Sequence, residues 1–330
     1  MTRVAILCSA HGFGHVARQL AVAERLMERG ADVTLWTAAP ESVVRDYLPS
    51  VAMRRFVLDV GLVQRDSLHE DPVATAVALD EYVTDAHVDA IAEGLAGVDV
   101  AVVDAAPAAL EAARRAGVPA VAVGNFDWAW IYGHYPPLAR HSALFRSWQA
   151  PHPALRMTPG PGMFGFAAVA EVGVVGRWRP PVRVADGRAV LVSFGGLGLD
   201  GLDALLPRVP GVTWVLAAPM APLDRPDCVH VTDVSYPAMV GGADLVLTKP
   251  GYGIYTETAL AGTPVVLVRR HGFPEAPSLE AAFVARGDVV IDGSIPELRA
   301  ALAQVVAGPM ARRRPLPGDG AARVAEWVLR

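Results

Sequence analysis

The chain has 330 residues, of which 52% are hydrophobic and 19% charged, a balance typical of a folded globular protein rather than a disordered or fibrous one. This length is enough for two α/β domains of ordinary size. The formal net charge of −5 argues against a nucleic-acid-binding surface, which needs a concentrated basic face. A small-molecule substrate is therefore expected.

The apolar runs are too short to span a membrane, since none approaches the roughly 18 residues that a membrane helix needs. The two cysteines, Cys8 and Cys228, lie in different halves of the chain and lack metal-ligand spacing, which indicates neither a disulfide framework nor a zinc site. These features favour a cytoplasmic protein without a membrane span. The sequence does not indicate an oligomeric state.

The first half of the chain alternates strand-like and helix-like segments. Residues 4–9 form an apolar run, a glycine turn follows, and residues 16–29 carry apolar side chains at helical spacing. The further segments are, in chain order, a strand at 33–36, a helix at 80–95, a strand at 100–103, a helix at 108–116 and a strand at 120–123. This alternation predicts a parallel sheet covered on both faces.

A second α/β series follows a stretch rich in proline and glycine, which predicts a connector over residues 166–188. We expect an α/β protein with two doubly wound Rossmann-like domains that face each other across a cleft. In such sheets, ligands bind beyond the carboxyl ends of the strands. The predicted parts are a first domain at 1–165, a second domain at 189–316, and a C-terminal helix in 317–330 that packs back on the first domain.

A histidine-containing glycine turn follows the first predicted strand, where residues 11–15 read HGFGH. Glycine permits a tight turn that brings His11 and His15 to the edge of the sheet, where a neutral imidazole can take a proton from an acceptor hydroxyl. Arg18 lies near the same helix face as His15, and Asp104, at the end of a strand, is a candidate to orient the catalytic histidine. The alternative is that the histidines make only structural hydrogen bonds.

Two glycine-rich turns in the second half are candidate phosphate sites. Residues 193–198 read SFGGLG, and backbone N–H groups there can approach a phosphate. Residues 248–257 read TKPGYGIYTE and lead into a helix, whose N-terminal N–H groups are suited to a diphosphate. Glu257, one turn into that helix, can accept both hydroxyls of a ribose, or else serve only as a capping residue.

Lys249 is the only lysine in a chain rich in arginine. Because the two cations differ in geometry, its presence suggests a position that needs a compact ammonium group. Chance survival in an arginine-biased composition is the alternative.

An aromatic segment follows the strand that ends at residue 123. Residues 125–132 read NFDWAWIY, in which aromatic rings can stack on a sugar or another planar ring and polar groups can orient it. The alternative is an aromatic packing cluster beneath a loop. The candidate acceptor-binding residues are Asn125, Phe126, Asp127, Trp128 and Trp130.

Together these motifs resemble GT-B glycosyltransferases, and in particular the glycosyltransferase-like N-terminal region of plant-type arabinokinases and its stand-alone bacterial relatives. The resemblance runs through most of the chain. The matching segments are AHGFGHVAR at 10–18, NFDWAWIY at 125–132, FGG at 194–196, and KPGYG at 249–253 followed by Glu257.

The resemblance implies an inverting, metal-independent glycosyltransferase that moves a sugar from a nucleotide-diphosphate sugar, with UDP as the expected nucleotide, to a small-molecule acceptor. It also implies the GT-B fold, with an acceptor-side domain at 1–165 and a nucleotide-sugar-binding domain at 189–316. By the same resemblance, His15 rather than His11 is the base, and Glu275 contacts the donor sugar. No Asp-x-Asp motif lies in a suitable place, so helix dipoles and an ammonium group would replace a metal ion, and no cofactor is expected. The expected donor-binding residues are Gly14, Arg18, Phe194, Gly195, Gly196, Val231, Lys249, Gly251, Tyr252, Gly253, Thr256, Glu257 and Glu275.

Two other functions fit the same sequence. The chain could be a nucleotide-sugar hydrolase or 2-epimerase on the same fold, or a non-catalytic module that binds a nucleotide sugar. The presence of His15, Lys249 and Glu257 together favours catalysis.

Overall fold

The computed structural model describes residues 1–65, 69–195, 199, 201–218 and 220–330. Contacts divide the chain into two units. Unit 1 comprises Met1–Gln64, Glu70–Gly176 and Gly318–Arg330, and unit 2 comprises Arg65–His69 and Arg177–Pro317. The division after Gly176 falls inside the range 166–188 that the sequence predicts as a connector.

Unit 1 is built on a parallel sheet of seven strands in the described residues, with the order β3-β2-β1-β4-β5-β6-β7. The last strand lies within the predicted connector, so this sheet extends further along the chain than the sequence suggests. The strands are β1 (Arg3–Cys8), β2 (Asp32–Thr37), β3 (Ala52–Arg55), β4 (Val100–Asp104), β5 (Ala120–Gly124), β6 (Pro153–Met157) and β7 (Ala168–Gly173).

Helices cover both faces of this sheet. Alternation along β1 sends Val4 and Ile6 into one core and Ala5 and Leu7 into the other, as the two-residue period of a strand requires. The helices are α1 (Phe13–Glu28), α2 (Glu41–Arg45), α3 (Pro72–Tyr82), α4 (Asp85–Gly94), α5 (Pro107–Ala116), α6 (Trp128–Gly133) and α7 (Ala139–Gln149), with a 3₁₀ turn at Pro136–Leu138.

The single helix predicted over residues 80–95 is wrong, because the chain forms α3 and α4 there instead. Thr84 has an extended backbone, and its hydroxyl accepts a hydrogen bond from the backbone N–H of His87 at 3.2 Å. A threonine in this position caps the start of a new helix. The apolar pattern continues across the break, which is why periodicity alone misses it.

The C-terminal helix (Gly320–Val328) lies in unit 1. Its Ala321, Val324 and Ala325 are buried in the same core as Leu20 of α1. Its first backbone N–H donates to the carbonyl of Val174 at 3.2 Å. The chain end is therefore fixed to the first unit by apolar burial and by a backbone hydrogen bond.

Unit 2 is a parallel sheet of six strands in its described residues, with the order β10-β9-β8-β11-β12-β13. The strands are β8 (Arg188–Ser193), β9 (Val212–Ala217), β10 (Cys228–Val231), β11 (Leu245–Thr248), β12 (Val265–Val268) and β13 (Val289–Ile291). The helices are α8 (Leu202–Leu205), α9 (Tyr236–Gly242), α10 (Tyr252–Ala261), α11 (Ala276–Ala285) and α12 (Ile295–Ala307).

In both sheets the strand order reverses at one point, between β1 and β4 in unit 1 and between β8 and β11 in unit 2. Doubly wound sheets bind their ligands beyond the carboxyl ends of the strands at such a point. The histidine turn follows β1, and the two glycine-rich turns follow β8 and β11, so they lie at these points, whereas residues 125–132 follow β5 and Glu275 follows β12. None of the described helices is both long and apolar enough to cross a membrane.

Candidate functional site

The histidine turn of unit 1 needs glycine at one position. Gly12 has a φ of +83° and precedes the first residue of α1, and this left-handed region is easily adopted only by glycine. The helix starts at Phe13, three residues earlier than predicted, so Gly14 and His15 lie in its first turn. The turn thereby directs His15 toward the end of β4.

Asp104, the last residue of β4, is fully buried and lies at the centre of a polar cluster. Its Oδ1 is 2.9 Å from Nδ1 of His15 and 2.6 Å from Nη2 of Arg18. Its Oδ2 accepts from Nε of Arg18 at 2.6 Å and from the Gln19 amide at 2.9 Å. His15, Arg18 and Gln19 are spaced i, i+3 and i+4, which places them on one face of α1.

Nδ1 of His15 has two neighbours that require opposite protonation states. Nη2 of Arg18 lies 2.6 Å away and can only donate, whereas an ionised Asp104 can only accept. A proton on Nδ1 would satisfy the carboxylate and leave the lone pair on Nε2. The same proton would prevent Nδ1 from accepting a hydrogen bond from Arg18, so the two contacts cannot both be hydrogen bonds at once.

The electrostatics of this cluster favour an ionised acid and a neutral histidine. Burial alone would raise the pKa of Asp104, but the Arg18 guanidinium and His15 hold that pKa well below its usual range. Burial, and then the charge of Arg18, lowers the pKa of His15 from its usual 6.5, and Asp104 opposes this only in part. At neutral pH the imidazole is therefore uncharged and able to accept a proton.

His11 occupies a different environment. Its ring meets the edge of the Trp128 ring at 5.6 Å and packs on Gly61, where an added Cβ would lie 2.3 Å from the His11 Cγ. Its backbone N–H donates to Ser9 Oγ at 3.0 Å. His15 therefore contacts the buried carboxylate, whereas the ring of His11 packs against Trp128 and Gly61.

The aromatic segment 125–132 packs against the histidine turn through the rings of Phe126 and Trp128. Asn125 accepts from Nη1 of Arg18 at 3.0 Å and donates to the Pro159 carbonyl at 2.7 Å. The Phe126 ring meets His15 edge-on at 5.7 Å, and the buried Trp128 indole donates to a backbone carbonyl. These contacts match the packing-cluster alternative, and direct contact of these three residues with an acceptor stays a prediction.

Asp127 and Trp130 complete this segment. The Asp127 carboxylate accepts from the backbone N–H of Trp130 at 2.7 Å and of Gly165 at 3.0 Å, so it caps α6 and joins it to a neighbouring loop. The Trp130 ring is half-buried and lies 5.8 Å from the exposed Phe164 ring. Of the five candidate acceptor-binding residues, only Trp130 is not buried.

In unit 2, the glycine turn after β8 begins with the buried side chain of Phe194, and the backbone of Gly195 that follows has free space beside it. Phe194 is fully buried in the core, so its side chain packs and only its backbone could approach a donor. Gly195 has a φ of +76°, and an added Cβ would meet no atom within 4 Å. Gly196 lies outside the described residues.

The glycine turn after β11 leads directly into the N-terminus of α10, and diphosphate binding there stays a prediction. Gly251 precedes the helix, and the N–H of Tyr255 makes a helical hydrogen bond to its carbonyl at 3.1 Å. Helix geometry gives the N–H groups of Tyr252 and Gly253 no acceptor within the helix. Thr256 is buried, and its hydroxyl donates to the Gly253 carbonyl at 2.9 Å.

Glu257 forms a buried ion pair that the sequence does not predict. Its Oε1 lies 2.8 Å from Nε and 2.7 Å from Nη2 of Arg177, and the two residues are 3% and 5% exposed. Burial, and then the charge of Glu257, raises the pKa of the nearby Tyr236 phenol. Arg177 is the first residue of the main segment of unit 2, and no local pattern marks it.

The other predicted donor-binding residues lie near the carboxyl ends of the strands of unit 2. Lys249 is half-buried between β11 and the start of α10, and Val231 is the half-buried last residue of β10. Glu275 is buried just before α11. In the described residues, no group of three or more His, Cys, Asp or Glu side chains is arranged to hold a metal ion.

Sequence reasoning also misses Asp59, a half-buried residue after β3. Its Oδ2 accepts from the Ser9 hydroxyl at 2.6 Å, and burial raises its pKa to about 7. Asp59 is 50 residues from Ser9 in the chain, so no local pattern predicts the contact. Gln19, by contrast, could be predicted from its position four residues after His15 on the same helix.

Comparison with known proteins gives one sequence relative and many structural ones. No family model matches the chain. An L-arabinokinase of Arabidopsis thaliana is 31% identical over 304 residues, which are 82% of this chain and 28% of that protein. The chain thus spans 28% of the length of this relative, whose name describes the whole plant protein.

The structural relatives include a UDP-glucosyltransferase from Polygonum tinctorium capable of glucosylating indoxyl, with a TM-score of 0.61, 16% identity and coverage of 99% of this chain and 92% of that one. They also include UGT89C1 of Arabidopsis thaliana complexed with UDP, with a TM-score of 0.63, 13% identity and coverage of 100% and 95%. The chain therefore has the GT-B fold. The resemblance that its motifs indicate, to GT-B glycosyltransferases and to an arabinokinase, is confirmed.

Proposed function

We propose that the protein is an inverting glycosyltransferase that moves a sugar from a UDP-sugar to a hydroxyl group of a small-molecule acceptor without a metal ion. The observation that carries this proposal is the buried contact between His15 and Asp104 in a chain with the GT-B fold. The names of two structural relatives mention UDP or a UDP-glucosyl donor, which supports UDP as the nucleotide.

The chemistry begins with the acceptor hydroxyl. The ionised Asp104 accepts a hydrogen bond from Nδ1–H of His15, which leaves Nε2 of the neutral imidazole as the base. As Nε2 takes the hydroxyl proton, the acceptor oxygen forms a bond to the anomeric carbon of the sugar. The bond from that carbon to the UDP oxygen breaks on the opposite face, and UDP leaves with the electron pair. A single displacement of this kind inverts the anomeric configuration.

Unit 2 supplies the groups that stabilise the departing diphosphate. The N–H groups at the start of α10 carry the partial positive charge of a helix N-terminus, and the half-buried Lys249 stands just before them. The open backbone at Gly195 offers a second approach to the phosphates. Together these groups supply the charge stabilisation that a divalent cation would otherwise provide.

The ribose is assigned to Glu257. A buried ionised carboxylate one turn into α10 can accept hydrogen bonds from vicinal hydroxyls. On the acceptor side, the half-buried Trp130 offers a ring face to a planar or sugar acceptor. Asn125, Phe126 and Trp128 pack against the histidine turn and the start of α1.

A two-stage assay tests this function. Thermal melting in the presence of a panel of nucleotide sugars first identifies the donor, because a ligand that binds the native state raises the melting temperature. UDP release is then measured with and without candidate acceptors. Release that depends on an acceptor supports glycosyl transfer, and acceptor-independent release indicates hydrolysis of the donor. Conversion of the nucleotide sugar to its epimer without release of UDP indicates a 2-epimerase, and binding of an unchanged nucleotide sugar without release indicates a non-catalytic module.

A further inference from the structure

The buried pair of Arg177 and Glu257 suggests a role for an arginine that no motif marks. Both contacting nitrogens of Arg177 reach the same carboxylate oxygen, Oε1. Nε–H donates a hydrogen bond to this oxygen, and Nη2 lies within ion-pair distance of it. The guanidinium therefore holds Oε1 in place and sets a positive charge directly beside it.

The pair is too deeply buried to be an ordinary surface ion pair. With 3% and 5% of their surfaces exposed, both side chains have lost most of their hydration. A buried carboxylate without a cation would favour its protonated form, and a protonated carboxyl accepts hydrogen bonds less well than an ionised one. Arg177 therefore holds Oε1 of Glu257 in place and favours the ionised form of the carboxylate.

We propose that Arg177 is a positioning residue for donor recognition, which holds Glu257 ionised and in the orientation that accepts the 2′- and 3′-hydroxyls of the donor ribose. This inference rests on the proposed function, because it takes Glu257 as the ribose acceptor. Arg177 acts through Glu257, and its contribution is to ribose discrimination rather than to the chemical step.

The test compares the binding of UDP with that of 2′-deoxy-UDP by calorimetry. In the wild type, the missing hydroxyl removes a hydrogen bond to a charged group, so UDP is expected to bind about tenfold more tightly. In Arg177→Gln, Glu257 loses its orientation and its charge partner, and the ratio of the two affinities is expected to fall below about twofold. A purely structural role would weaken both nucleotides equally and leave the ratio unchanged.

Arg183→Gln is the matched control. Arg183 lies six positions further along the chain and forms an exposed ion pair with Asp244 at 3.1 Å, so this variant should keep the wild-type ratio. If Arg177→Gln does not fold, Arg177→Lys serves in its place. It keeps the positive charge but cannot present two N–H groups in a fixed fork, and we expect its ratio to fall as well.

The outcomes separate this inference from the proposed function. A wild-type protein that binds UDP and prefers it to the deoxynucleotide, together with an unchanged preference in the folded Arg177 variant, overturns the inference alone. A wild-type protein that binds UDP without that preference also overturns the inference, because it shows that Glu257 does not accept the ribose hydroxyls. A wild-type protein that binds no uridine nucleotide overturns the proposed function and the inference with it.

Discussion

Nδ1 of His15 lies 2.9 Å from Oδ1 of Asp104, although the two residues are 89 positions apart in the chain. The contact exists because β1 and β4 are neighbours in the sheet and their carboxyl ends meet at one edge. The same arrangement brings Arg18 into contact with both residues. The proposed base, the carboxylate beside it and the guanidinium that lowers the pKa of that carboxylate therefore lie together at one edge of unit 1.

Arg18 is expected to set the pH at which the base becomes active. Because a protonated imidazole cannot accept a proton, kcat/KM should fall only below the usual histidine pKa of 6.5, since burial and Arg18 lower the pKa of His15. Arg18→Gln removes a repulsive cation and leaves Asp104 in place. The acid limb of the pH profile should then move to higher pH by on the order of one unit.

Arg25→Gln is the control for this experiment, because Arg25 lies on the same helix in an exposed pair with Glu28. Its pH profile should match the wild type. If Arg18→Gln leaves the acid limb in place and weakens UDP binding instead, Arg18 contacts the donor, as the sequence alone predicts.

Glu257→Gln should weaken the binding of UDP by about 1.5–3 kcal/mol, the range for a hydrogen bond to a charged group. The measurement is isothermal calorimetry on variants whose folding has been checked by thermal melting. Glu280→Gln, which removes a carboxylate paired with the exposed Arg269, should bind UDP like the wild type. Equal affinities of Glu257→Gln and the wild type for UDP would show that Glu257 does not bind the ribose.

Lys249 is expected to act through its compact geometry as well as its charge. Lys249→Met should lower turnover by about 10²-fold, the effect of removing one charge-stabilising group. Lys249→Arg should lower it nearly as much, because a planar guanidinium does not fit where an ammonium does. Steady-state kinetics decides between the possibilities. Recovery of most activity by arginine would indicate simple charge attraction, and a wild-type rate for methionine would exclude Lys249 from the site.

Asp59 should make unit 1 less stable as the pH rises. Its folded pKa of about 7 lies above its usual 3.8, so between these values the native state holds a proton that the unfolded state releases. The free energy of unfolding therefore falls as pH increases through this window, by about 2–4 kcal/mol in total. Asp59→Asn should melt at a higher temperature than the wild type at pH 8, and the difference should be smaller at pH 5 and close only as the pH falls below the usual value of 3.8.

Glu93→Gln, at an exposed position on α4, provides the control for the melting curves. It should follow the wild type at both pH values. A difference between Asp59→Asn and the wild type that is the same at pH 5 and pH 8 would contradict the assignment, since an effect of packing alone does not depend on pH in this range.

The fold, and the contact between His15 and Asp104, could be predicted from the sequence because the signals for them are local. Three kinds of signal are local: the apolar runs of the strands, the glycine turns before α1 and α10, and polar residues at strand ends such as Asp104. Each of them is recognised from residues within a few positions of one another. The break between α3 and α4 cannot be predicted from apolar periodicity, because that pattern continues across Thr84, whose hydroxyl caps the second helix.

The partners of the site residues could not be predicted, because they are distant in the chain. Arg177 meets Glu257 across 80 residues and Asp59 meets Ser9 across 50, and both lie in segments without regular periodicity. The burial of Asn125, Phe126 and Trp128 could not be predicted either, because the same aromatic motif is compatible with contact to a ligand and with packing in a core.

The rate of UDP release, measured with donor and acceptor in buffer containing EDTA, tests the central claim most directly. Wild type and His11→Ala should release UDP at similar acceptor-dependent rates, whereas His15→Ala should be slower by about 10²–10⁴-fold with nearly unchanged donor affinity. A wild-type rate for His15→Ala, or a rate for the wild type that disappears in EDTA and returns only with magnesium or manganese, would contradict a metal-independent transferase that uses His15 as its base.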